Sequence, residues 1–163
     1  MDTKGMQSIV LTRVDDRLVH GQVMTSWVKA TGANKIMVVD DGVAQDELMK
    51  TVLKGVVPSQ VKLGIFSVAK AVDRMVKGFK DTDKVIMLVK TPETVWRMQQ
   101  AGVEFKALNI GGMGIRSDRT TLYQNIAASE SEREAIKSLI DAGCDVTIQI
   151  TADDAKVDVS KHL

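Results

Sequence analysis

Cysteine occurs once in this chain, at Cys144, so no internal disulfide can form. A lone thiol suits a reducing compartment, and its place between Gly143 and a strand-like run suits buried packing. Histidine occurs twice, at His20 and His162. With one cysteine beside them, the usual ligands of a zinc site are too few, and no metal is expected. Asp40-Asp41 is read as a solvated turn in preference to a metal site. Aromatic residues make up 4% of the chain, which leaves little for stacking on bases. Neither sign of charge dominates: 22 basic and 21 acidic residues give a net charge of +1, whereas nucleic-acid binders carry a basic surplus. No apolar run approaches the roughly 18 residues that span a bilayer. The start Met1-Asp2-Thr3-Lys4-Gly5 lacks an apolar export signal, so a cytoplasmic location is expected. There is no P-loop, which argues against direct use of ATP.

What the chain does have is an alternation of strand-like and helix-like segments. Its length of 163 residues and its hydrophobic share of 44% suit one domain over 1–163. The ordered core is expected over roughly residues 6–155, with Thr151 to Leu163 fraying or packing as a short extension. Strands are predicted at Ser8–Val14, Lys35–Val39, Val61–Phe66, Lys84–Val89, Phe105–Ile110 and Asp145–Ile150. Helices are predicted at Gly21–Thr31, Ala44–Val56, Val68–Lys77 after Ser67, and from Pro92 until Gly102. A last helix, Glu132–Ala142, would be capped by Ser131 with Glu134. Leu48, Met49, Val52 and Val56 recur at helical spacing, as do Val68, Ala71, Val72, Met75 and Val76. Leu122 to Ala127 stays ambiguous, as a short strand or a loop. The βαβα order predicts a three-layer α/β/α sandwich with a mainly parallel central sheet of about six or seven strands. Ligands in such sheets bind beyond the carboxyl ends of the strands.

The loop after the first strand carries the densest chemistry: Arg13-Val14-Asp15-Asp16-Arg17-Leu18-Val19-His20-Gly21-Gln22-Val23. Neutral imidazole has a free lone pair near neutral pH. The start of a helix presents unpaired N–H groups that favour anions. Arg17, and after it Arg13, can hold phosphate oxygens in a planar fork. Asp15, or alternatively Asp16, can fix the imidazole tautomer. N–H groups around Gly21 and Gln22 can add to the anion site. The same residue types also describe a solvated charge cluster with an incidental histidine.

The run Arg13 to Val23 resembles the active-site signature of the IIB components (EIIB) of the mannose/fructose/sorbose family of the bacterial phosphotransferase system, the PTS. That signature reads R-[IV]-D-[DE]-R-[LI]-[IV]-H-G-Q-V, and every position fits. Trp27 to Asn34, Pro58, Lys90-Thr91-Pro92 and Asn109-Ile110-Gly111-Gly112-Met113 also look familial. The resemblance implies a phosphocarrier without a cofactor. His20 would accept a phosphoryl group from a IIA domain and pass it to a sugar held by membrane IIC and IID components. Its Nδ1 would be the acceptor. The protein would sit at the inner face of the membrane through these partners. Val10-Leu11-Thr12 and Trp27-Val28-Lys29 lean toward the N-acetylgalactosamine branch, with mannose, fructose and sorbose as the other sugars. Two other classes stand beside this reading: a phosphohistidine-dependent phosphatase, and a regulatory protein-binding module.

Gly111-Gly112-Met113 would form a second loop beside His20, either cradling phosphate through backbone N–H groups or simply turning. Arg116 and Arg119 are candidates for contacting a partner. Trp27 and Trp96 read as packing residues. A homo-oligomer is open, although no heptad or self-complementary stripe stands out.

Overall fold

Capping residues and apolar runs set the boundaries of most elements. A computed structural model describes residues 3–163, with Gln22 described in its backbone only. Among the described residues the order is β1 (Ile9–Asp15), α1 (Gly21–Thr31), β2 (Lys35–Val39), α2 (Asp41–Ala44), α3 (Glu47–Val56), β3 (Lys62–Phe66), α4 (Val68–Lys77) and β4 (Val85–Val89), followed by α5 (Pro92–Gln100), β5 (Ala107–Gly112), β6 (Thr120–Tyr123), β7 (Ile126–Ala128), α6 (Glu130–Asp141), β8 (Asp145–Ile148) and β9 (Val157–Asp158). Gly32 ends α1 in the left-handed region at φ 71°, where glycine meets no Cβ penalty. The Ser67 hydroxyl accepts from Lys70 N–H and starts α4.

Seven strands form one sheet in the order β3-β2-β4-β1-β5-β8-β9. All neighbours are parallel except β9, which pairs antiparallel to β8. β4 is buried along its whole length, which explains its unbroken apolar sequence. Leu18, Trp27, Val28 and Leu53 pack on one face of the sheet. Ala71, Met75, Val95, Met98, Ile136 and Leu139 cover the other. The three-layer architecture is therefore present.

β1 lies between β4 and β5, where the strand order reverses. The chain leaves β1 through α1 on one face. It leaves β5 toward α6 on the other. The two loops diverge and open a crevice at the carboxyl edge, the general ligand position in sheets of this kind.

Several expectations need correction. The helix expected over 44–56 is two helices, because Asp40 caps α2 and Asp46 separately caps α3 by accepting from Met49 N–H. In α3 only Leu53 turns inward, and Leu48 is 76% exposed, with Met49, Val52 and Val56 also solvated. Val76 likewise points outward from α4. The capping box is Ser129 with Glu132, not Ser131 with Glu134, so α6 starts two residues early. Residues 122–127 fall across an antiparallel hairpin of β6 and β7. The C-terminal residues pack, with Val159 fully buried.

Candidate functional site

β1 emerges from the sheet carrying Arg13 and Asp15, and the chain then turns sharply. Leu18 N–H donates to Asp15 O at 3.0 Å. Leu18 takes φ 58°, a left-handed conformation costing about 1–2 kcal/mol for a residue with a side chain. Burial of Leu18 and Val19 in the α1-side core offsets that strain and anchors the loop. Gly21 follows at φ 42°, and a Cβ there would meet nothing within 4 Å, so the first turn of α1 is open beside it. Between these anchors stands His20, at the N-cap position of α1 with extended backbone and no side-chain cap bond.

The His20 ring is oriented by Asp15. Its Nε2 lies 2.8 Å from Asp15 Oδ2. A carboxylate only accepts, so Nε2 is the donor and carries the proton. The lone pair is then on Nδ1, which accepts from no described group. The His20 side chain is 18% exposed, so the ring is at the surface and not sealed inside. The other Asp15 oxygen, Oδ1, accepts from Arg17 N–H at 3.0 Å. Asp15 thus shapes the loop and fixes the tautomer together.

Arg13 has a different place from the one expected. It is wholly buried. Its Nη1 donates to Asn109 Oδ1 at 2.6 Å and to Gln149 O at 3.0 Å, and its Nη2 to Asp15 Oδ2 at 3.3 Å. The guanidinium lies 5.5 Å from the centre of the Trp27 ring. Burial pushes its pKa down while Asp15 pulls it up. As a strand residue pointing into the α1 layer, Arg13 does not face solvent. It is a counter-charge for Asp15, not a phosphate ligand.

Gly111 and Gly112 border the site as expected, but as the end of β5 and not as a loop. A Cβ on Gly111 would fall inside the Arg13 guanidinium, and one on Gly112 would stand 2.6 Å from Asp15 Oδ1. Their absent side chains make room for Arg13 and Asp15. Gly112 O accepts from Asp16 N–H at 2.8 Å, and the Gly114 N–H is taken by Asp16 Oδ2 at 2.7 Å. Met113 is buried, and its carbonyl accepts from Ala127 N–H in β7. This segment borders the site as a packing partner.

Asp16 faces away from His20 toward Arg119. Arg119 donates to both Asp16 oxygens, at 2.8 and 3.0 Å, and to both Glu132 oxygens, each at 2.8 Å. Burial opposes its charge, but these bonds outweigh that and hold its pKa above the ordinary arginine value. Glu132, against its own burial, is held below the usual carboxylate range by Arg119 and Ser129. Arg119 is therefore closed to a docking protein. Arg116 stays at the surface, 2.7 Å from Asp118.

Arg17 is exposed, and its guanidinium makes no bond to a described group. It lines a crevice of about 280 Å³ with Asp15, Asp16, Gly111, Gly112, Asn125 and Ile150. The side chain of Gln22 lies outside the described part of the chain. Sequence reasoning missed the roles of Asn109, Gln149 and Glu132, and read Arg119 as a partner contact, whereas all four hold the loop from distant strands and helices. Asn109 lay within a segment already singled out, Asn109 to Met113, and Arg119 was singled out for a different role.

The site thus joins an imidazole with a directed lone pair, at the N-cap of α1, to a loop whose Arg17 guanidinium bonds no described group, on a doubly wound α/β sheet. Residues 9–163 match the family described as PTS system sorbose subfamily IIB component. The chain is 34% identical over 153 residues to the fructose-specific EIIB component of Bacillus subtilis (strain 168), covering 94% of each. It is 35% identical over 149 residues to the mannose-specific EIIAB component of Escherichia coli (strain K12), covering 91% of this chain and 46% of that longer protein. The crystal structure of the IIBSor domain of the sorbose permease from Klebsiella pneumoniae superposes with a TM-score of 0.87 at 32% identity, covering 94% of both chains. The chain belongs to the sorbose-subfamily IIB components of the phosphotransferase system, the phosphotransferase domains of sugar uptake. No described helix is long and apolar enough to cross a membrane.

Proposed function

We propose that His20 is the phosphoryl carrier of this IIB component. A IIA domain bearing phosphohistidine is the donor, and a relative that joins IIA and IIB in one chain supports that partnership. The donor's P–N bond breaks as a P–N bond forms to Nδ1 of His20. The ring then has both nitrogens substituted and carries positive charge, which the Asp15 carboxylate on Nε2 stabilises. In the second step a sugar hydroxyl, presented by membrane IIC and IID components, takes the phosphoryl group. The P–N bond to Nδ1 breaks as the P–O bond forms, the hydroxyl proton passes to a base of the membrane component, and Nδ1 recovers its lone pair.

Charge stabilisation by the protein is modest, as a carrier requires. The loose transition state spreads negative charge over three oxygens. Arg17 supplies a planar fork toward them, and the first turn of α1 at Gly21 and Gln22 supplies N–H groups. Two neighbouring carboxylates do not oppose this, because Asp15 is paired with Arg13 and Asp16 with Arg119. The observation that carries the reading is the 2.8 Å bond from His20 Nε2 to Asp15.

The sugar is a hexose or N-acetylhexosamine of the mannose, fructose, sorbose or N-acetylgalactosamine type. The protein works in the cytoplasm, held near the membrane by its partners. Family membership favours this carrier over the phosphatase and the docking-only module. The test is incubation with phosphoenolpyruvate, the general PTS proteins and the matching IIA. Acid-labile phosphate on His20 supports the reading. Label elsewhere, or none, rejects it.

A further inference from the structure

Arg119 stands 103 residues from Asp16 in sequence, yet each of its five N–H donors has a partner at the edge of the His20 loop. Nε donates to Glu132 Oε1, Nη1 to Asp16 Oδ2 and Gly114 O, and Nη2 to Asp16 Oδ1 and Glu132 Oε2, all between 2.8 and 3.0 Å. The side chain is completely buried. Glu132 Oε1 also accepts from Ser129 N–H at 2.9 Å as part of the cap of α6. A continuous chain therefore runs from the α6 N-terminus through Glu132 and Arg119 to Asp16. It reaches the residue that immediately precedes Arg17.

This arrangement bears on phosphoryl transfer in two ways. It fixes the Asp16 carboxylate in the wall of the crevice that Arg17 also lines, where Gly114 N–H also holds it at 2.7 Å. It also pairs that carboxylate with a cation, so an incoming phosphoryl group meets Arg17 without a competing free anion beside it. Lysine cannot reproduce the arrangement, because a point charge cannot serve two carboxylates through paired parallel bonds.

We infer that Arg119 is a positioning residue for transfer at His20, acting through Asp16 to keep Arg17 and the α1 N-terminus facing the phosphoryl group. The inference rests on the carrier reading above. Its test uses the full chain with phospho-IIA in single-turnover labelling, plus amide hydrogen exchange at Asp16 and Gly114. Arg119→Lys keeps the buried charge and is expected to fold. Its transfer rate should fall between about tenfold and about a hundredfold, the range that displacement of a positioned group produces. Exchange at the Asp16 and Gly114 amides should accelerate. Adding Asp16→Asn to Arg119→Lys removes the released anion and should restore part of the rate, which a purely structural role would not do.

Parental rates in Arg119→Lys, or a double variant as slow as the two losses multiplied, overturn the inference. If Arg119→Lys does not fold, Glu132→Gln weakens the far end of the same chain, and it should slow transfer with the same two amides loosened. Parental transfer and exchange in that variant also overturn it. If the parent protein takes no label at His20, the carrier reading fails by itself. The exchange measurement then still decides whether Arg119 pins Asp16.

Discussion

Gly111 packs directly against the guanidinium of Arg13, with no room for even a single carbon between them. Arg13 in turn holds Asp15, and Asp15 holds His20. A backbone position on β5 is therefore linked through two side chains to the His20 ring.

Gly111→Ala forces Arg13 out of its slot between Asn109, Trp27 and Asp15. Overpacking of this kind costs about 1–3 kcal/mol. Urea unfolding should show that loss, and labelling of His20 should slow with it. Unchanged stability would mean that Arg13 has another place to go.

Asp15→Ala removes the acceptor that fixes the His20 tautomer and leaves Arg13 without its counter-charge. Breaking a buried pair in this way costs about 3–5 kcal/mol. Nitrogen chemical shifts of the imidazole should change from a ring protonated at Nε2 to a mixture of tautomers. A ring still fixed at Nε2 would show that Asp15 does not set it.

Arg17 separates function from stability. Its side chain is exposed and bonded to no described group, so Arg17→Ala should change unfolding free energy by no more than about 0.5 kcal/mol. Transfer to His20 should nevertheless fall sharply, and Arg17→Lys should recover little of it. A lysine variant as fast as the parent would reject the planar fork.

Glu132 gives the acid limb of stability a defined sign. Its folded pKa is lowered, so its pairing stabilises the fold above the unfolded value of about 4.3 and is lost as pH falls through the folded value. Urea midpoints measured from pH 7 downward should drop more steeply for the parent than for Glu132→Gln. Parallel curves would show that Arg119 does not hold Glu132 ionised.

Cys144 offers a probe of opening. Burial pushes its pKa up to about 11, so the folded chain presents almost no thiolate at pH 8. Modification by a thiol reagent should proceed only as fast as the protein opens. Rapid modification of the folded chain would contradict the burial of Cys144.

Much of the architecture was legible because the signals are local. Lys35–Val39 and Gly21–Thr31 with Gly32 are bounded by residues whose preferences need no tertiary context. His20 and Asp15 were legible for the same reason, being five residues apart on one loop. The capping box was misread because Ser129 and Ser131 each have a glutamate three residues on, and only packing of Glu132 against Arg119 selects between them. The stripe of α3 was misread because spacing reports amphipathicity but not which face meets the core. Arg13 and Arg119 look alike in composition to any surface arginine. Their burial comes from partners 96 and 103 residues away.

The central claim is that the proton held on Nε2 by Asp15 leaves Nδ1 of His20 to take the phosphoryl group. Phosphorus–nitrogen couplings of the 15N-histidine protein, labelled through phosphoenolpyruvate and IIA, test it most directly. The account predicts phosphate on Nδ1 of His20. Phosphate on Nε2, or on His162, would contradict it.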